Sequence, residues 1–99
     1  MENTQTINQN DANEALAIGA LFRAFHENFH ALPLADEAKK EIQSAMRAVE
    51  AELGSDKPKR SMIRESLKTL HKILDGIASN AIAAKLLPML ADLGKSFGF

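Results

Sequence analysis

The chain has 99 residues, no cysteine and a net charge of −1, which excludes a disulfide framework and a thiolate metal site and leaves room for one domain at most. A domain this small buries only roughly 60–65% of the surface its unfolded chain exposes, so it gains from self-association. Neither Trp nor Tyr is present, and alanine and leucine carry much of the apolar content, a balance that favours packed helices over a sheet.

The opening "MENTQTINQN" has neither the basic head nor the apolar stretch of a secretory signal. It holds a single aliphatic residue, Ile7, too little to offset the entropy of ordering, so residues 1–10 read as a flexible polar tail. No window approaches the roughly 18 uninterrupted apolar residues of a membrane-spanning helix. A cytoplasmic protein is the expectation.

A single helical domain is expected over residues 11–99. Asp11 and Glu14 have the spacing of a capping box, with an acidic residue in place of Ser or Thr. Behind them Ile18, Phe22, Phe25, Phe29 and Leu32 draw one apolar stripe, widened by Leu21, and Pro33 stops the helix. A second helix is expected from Asp36, which can cap it, with Ile42, Met46, Val49 and Leu53 on its inner face and Gly54 at its end. The short connection at Pro33 predicts that these two helices are antiparallel neighbours.

"GSDKPKRS" is a turn, with Ser55 or Asp56 as cap and Pro58 in the first turn of a third helix. Ile63, Leu67, Leu70, Leu74 and Ile77 repeat the apolar rhythm, and "GIASN" at residues 76–80 is a break in which Ser79 or Asn80 can cap a further segment. That segment offers Ile82, Leu86, Met89 or Leu90, and Leu93, ends at Gly94, and carries Pro88 inside it, where a kink or a short first turn is expected. The predicted fold is all-α, a small antiparallel bundle of three to four helices.

Charge is unevenly spread: residues 1–56 carry ten acidic and four basic side chains, and residues 57–72 carry six basic and one acidic. On a helix, Arg60, Arg64, Lys68 and Lys72 form a ridge beside the apolar face, with Lys57 and His71 next to it. The ridge suits an anion (nucleotide or nucleic acid), an anionic membrane surface or an acidic partner. The alternative is internal: it answers Glu41, Glu50 and Glu52 of the second helix as solvated ion pairs. Nucleic acid is disfavoured by the lack of aromatic or glycine-rich readers.

"HENFH" at residues 26–30 spells the H-E-x-x-H of zinc proteases, in which two histidines one helical turn apart share a metal. The glycine and third histidine of the extended motif are missing, and no strand is evident to align a peptide. With the apolar stripe centred near Phe29, His26 flanks it by roughly 60° and His30 by roughly 100°. The pair therefore reads as rim and surface residues beside a phenylalanine core, with metal binding at His26 and His30 a remote alternative. Ser61, Ser66 and Ser79 have no identifiable base beside them, and no catalytic constellation or cofactor site is recognisable, so an enzyme is not expected.

The last segment, "GIASNAIAAKLLPMLADLGKSFGF", combines small residues with bulky ones and has few polar positions. Leu87, Leu90, Phe97 and Phe99 cannot all point inward on this reading, which makes them, with Leu86, a candidate self-association seam; the alternative is that the segment is the inner helix of the bundle. The same region, in "LKTLHKILDGIASNAIAAKLL" with Leu67, Leu70, Ile73, Leu74, Gly76, Ala78, Asn80, Ile82 and Ala83, resembles a helical C-terminal tail of uncharacterised bacterial proteins. Some of those are of the abortive-infection, phage-defence type. The likeness covers residues 63–90; Lys85 and Pro88 interrupt the smoother apolar pattern, and the larger N-terminal region usual in such proteins is missing. The resemblance implies a bacterial or phage source and a packing or oligomerising role for this segment, and no activity or site residues. The expected function is a non-enzymatic interaction or oligomerisation module, an accessory or regulatory protein, with a second copy or another protein as partner.

Overall fold

A computed structural model describes residues 9–99, with side chains from Asn13 onward. It holds helices α1 (Gln9–Asn28), α2 (Asp36–Leu53), α3 (Arg60–Asp75) and α4 (Ala81–Phe97), a 3-10 turn at Phe29–Ala31, and no strand among the described residues. The protein is an all-α bundle. The expected tail lies outside the described residues except for Gln9 and Asn10, which are the first residues of α1. Asp11 is therefore inside the helix and is not its cap.

The apolar stripes are where periodicity placed them. Ile18, Leu21, Phe22 and Phe25 of α1, Ile42, Met46 and Val49 of α2, and Ile63, Leu67, Leu70 and Leu74 of α3 are buried in one core. Phe29 departs from the stripe. The α-helix ends at Asn28, whose side-chain N–H donates to the Ala24 carbonyl at 2.9 Å, and the tighter 3-10 turn rotates Phe29 to a half-buried position. Leu32 returns to the core in extended conformation, ψ 128°, as a residue before proline must. Leu53 also falls short: it lies at the end of α2, 38% exposed.

Beyond α1, the starts of α2 and α3 differ from expectation and that of α4 agrees. Ala35, not Asp36, occupies the cap position of α2, and Asp36 and Glu37 sit in the first turn, where their charges favour the helix dipole without a capping bond. Lys59 precedes α3, so Ser55, Asp56 and Pro58 all lie in the preceding loop. Glu52 ties that loop instead. Its carboxylate accepts from the Lys59 N–H at 2.9 Å, and its carbonyl accepts from the Ser55 hydroxyl at 3.0 Å. At α4 the expected cap forms: the Asn80 side chain accepts from the N–H groups of Ile82 and Ala83, at 2.9 and 3.2 Å. Asn80→Ala should lose about 1 kcal/mol of unfolding free energy, measured by urea denaturation. No loss would show that the cap contributes nothing.

Helix α4 is one continuous element through Pro88, so neither a short first turn nor an end at Gly94 is found. Pro88 and Ala84 are both exposed, so the ring that cannot bond the Ala84 carbonyl lies on the outer side of the helix. Gly94 is interior. The chain passes it, turns at Gly98 with φ 84°, and lays Phe99 back so that a Cβ on Gly94 would stand 2.9 Å from the Phe99 ring. The N–H groups of Gly98 and Phe99 both donate to the Gly94 carbonyl, at 2.8 and 2.9 Å.

Packing order corrects the sequence expectation that α1 and α2 are neighbours. The principal contacts run α2 on α3, α3 on α4, and α4 on α1. The physical reason lies in α4, whose buried side chains Ala83, Leu86, Leu90, Leu93 and Phe97 make an inner face wide enough to serve α3 and α1 together. The seven residues from Phe29 to Ala35 let α1 stand apart from α2.

Candidate functional site

No polar or charged side chain is buried among the described residues. The polar candidate residues among them are therefore at least partly exposed, and can be taken in turn.

His26 and His30 are both exposed. His26 is in the last turn of α1, while His30 is in the 3-10 turn and meets the Phe29 ring edge-on, centroids 6.3 Å apart. A 3-10 residue turns roughly 120° where an α-helical one turns roughly 100°, so the two imidazoles are further from alignment than the letters suggest. No cluster of three or more His, Asp or Glu side chains placed to hold a metal occurs among the described residues.

The basic ridge divides. Lys57 is in the loop, not on α3. Arg60 grips Glu14 of α1 through two hydrogen bonds of 2.6 and 2.9 Å, donates to the Ser96 carbonyl of α4 at 2.9 Å, and lies over the Phe97 ring at 4.4 Å. This arginine joins α1, α3 and α4, and the paired geometry with a carboxylate only 12% exposed makes it stronger than an ordinary surface pair. Its partner is on α1, not on α2 as the internal reading of the ridge expected. Glu14 was hidden by its spacing from Asp11, which pointed to a cap. Arg64 and Lys68 approach Glu65 of their own helix at 3.6 and 3.7 Å, weak contacts between exposed groups.

The proposed self-association seam on α4 is corrected too. Leu86, Leu90 and Phe97 belong to the monomer's own core, and Leu87 is half-buried against it. They face inward because α1 and α3 both pack on α4, which the sequence does not disclose. Of the five, Phe99 is the most exposed, at 36%. Of the small residues before them, Ala83 is buried, while Gly76 and Ala78 are in the exposed turn.

Two surface features were not anticipated. On α1, Ala15, Leu16, Ala17, Gly19 and Ala20 are all exposed, Leu16 to 73%, and no charged residue interrupts positions 15–22. Beside them an open groove separates α1 from α2, floored by Ile18, Phe22 and Leu53 and edged by His26 and Glu50. The hint in the sequence was that uncharged run, overlooked because its inner residues already made a good stripe. The second feature is a cleft of about 470 Å³ where α3 meets the end of α4, lined by Lys68, His71, Lys72, Ala91, Lys95 and Phe99. It draws Lys68 and Lys72 out of the ridge and adds Lys95 from 23 residues further on, a convergence no local pattern displays.

These features define a small four-helix protein with an apolar interior and its distinguishing surfaces on α1 and at the α3–α4 end. No family model, curated protein or solved structure matches the chain.

Proposed function

We propose that this chain is a non-enzymatic helical interaction module that associates with a second copy of itself through α1. The observation that carries the reading is the exposed apolar face of Ala15, Leu16, Ala17, Gly19 and Ala20, with the Leu53 groove alongside. A helix that is apolar on its outer face as well as its inner one loses free energy to water until something covers it. The apolar floor of the groove continues that face, so one docked helix covers both. The small side chains there allow close approach of a second backbone. The resemblance of residues 63–90 to the tails of abortive-infection type proteins supports an accessory or regulatory role in a bacterium or phage, and on this reading the module works in the cytoplasm.

The test is solution mass by light scattering at micromolar concentration. The wild-type chain should exceed the monomer mass, and Leu16→Glu should return it to monomer. Because Leu16 is exposed, the monomer's own stability should change by less than about 0.5 kcal/mol. A wild-type protein that stays monomeric over the accessible range, or a Leu16→Glu variant that associates as before, would sink the reading.

A further inference from the structure

The cleft between α3 and the end of α4 is independent of the α1 surface, and its chemistry is of another kind. Lys68 and Lys72 stand one turn apart on α3 with half-buried His71 between them, and Lys95 faces them from α4, one turn beyond Ala91. Like charges at i, i+4 on one helix destabilise it slightly, and bringing a third lysine to the same cleft adds to that repulsion. Intramolecular relief is small. Lys68 has only the 3.7 Å contact with Glu65, and no ion pair among the described residues involves His71, Lys72 or Lys95, although Asp75 and Asp92 lie within one turn of Lys72 and Lys95.

The floor is apolar and aromatic. The left-handed Gly98 and the missing side chain at Gly94 bring Phe99 back over α4, where its ring is tilted 60° to that of His71 at 6.5 Å between centroids. Three lysines lining one cleft, with a partly exposed phenyl ring, match a ligand with a polyanionic end and a flat hydrophobic end. The volume, about 470 Å³, lies within the range of small-molecule sites.

We propose that this cleft binds a nucleoside polyphosphate, with the phosphates on Lys68, Lys72 and Lys95 and the base against Phe99. The lysines act as point charges toward the phosphate oxygens, and the ring accepts a flat base by stacking, independent of its identity. Arg60 and Arg64 take no part; the former is held by Glu14 and Ser96, and neither lines the cleft.

Isothermal titration of the full chain with ATP and, separately, with inorganic tripolyphosphate tests the assignment. ATP should bind, more weakly as salt is raised, and more tightly than tripolyphosphate. Lys72→Glu and Lys95→Glu should each weaken ATP binding about tenfold or more, while Lys57→Glu and Lys85→Glu leave it within about twofold. Phe99→Ala should bring ATP down to the affinity of tripolyphosphate. Helical circular dichroism of each variant shows that the exposed substitutions leave the fold intact. Absence of ATP binding at millimolar concentration overturns the proposal. So does binding indifferent to Lys72→Glu and Lys95→Glu, equal affinity for ATP and tripolyphosphate, or binding of a single-stranded oligonucleotide that ATP does not displace. The α1 proposal is unaffected by any of these, since Leu16 lies on a different helix.

Discussion

Leu90→Ala should lower the free energy of unfolding by about 2–5 kcal/mol, by the same amount at every protein concentration. Leu90 is fully buried, with Leu86, Leu93 and Phe97 on the same face of α4, so removing its isobutyl group takes apolar contacts away and leaves a cavity that the two flanking helices only partly close. The concentration dependence is the informative part. A leucine on a seam between copies would show its loss as weaker association, so that the difference between wild type and variant shrinks on dilution. Urea unfolding across a hundredfold range of concentration separates these. A loss that vanishes on dilution would return Leu90 to a seam between copies.

Pro88→Ala should raise unfolding free energy by about 1–3 kcal/mol, a gain of the size that proline costs a helix interior less the extra freedom alanine has in the unfolded chain. Pro88 is the eighth residue of a seventeen-residue helix and is exposed, so alanine fits without displacing a neighbour. The new N–H meets the Ala84 carbonyl one turn back and removes the clash of the pyrrolidine ring with it. The denaturation midpoint and thermal midpoint should both rise with an unchanged denaturant slope. An unchanged or lower midpoint would mean that the packing of α4 between α1 and α3 depends on the backbone shape proline imposes.

Much of the local structure was legible because a helix repeats every 3.6 residues whatever it packs against. Ile63, Leu67, Leu70 and Leu74 declare an inner face, and Asn80 declares a start because its side chain reaches the N–H groups two and three residues ahead. Errors in the helix starts had the same local character. Asp36, Ser55 and Asp56 are all good capping residues, and which residue lies at the boundary turned on the path of the loops, including the reach of Glu52 across seven positions to Lys59.

By itself, then, the sequence determined an all-α bundle of three or four helices, their inner faces and an interior of aliphatic and phenylalanine side chains, because these follow from the spacing of residues a few positions apart. Only the tertiary structure decided which helices touch, and both candidate surfaces depended on that. Placing α1 on α4 buried Leu86, Leu90 and Phe97, left Leu16 and its neighbours uncovered, and opened the groove beside Leu53. It also set Glu14 against Arg60, and the α3–α4 packing gathered Lys68, Lys72 and Lys95 around Phe99. Pairing between helices depends on how wide each apolar face is and how the connections run, and these are properties of the whole chain; a pattern of residues four apart carries no record of them.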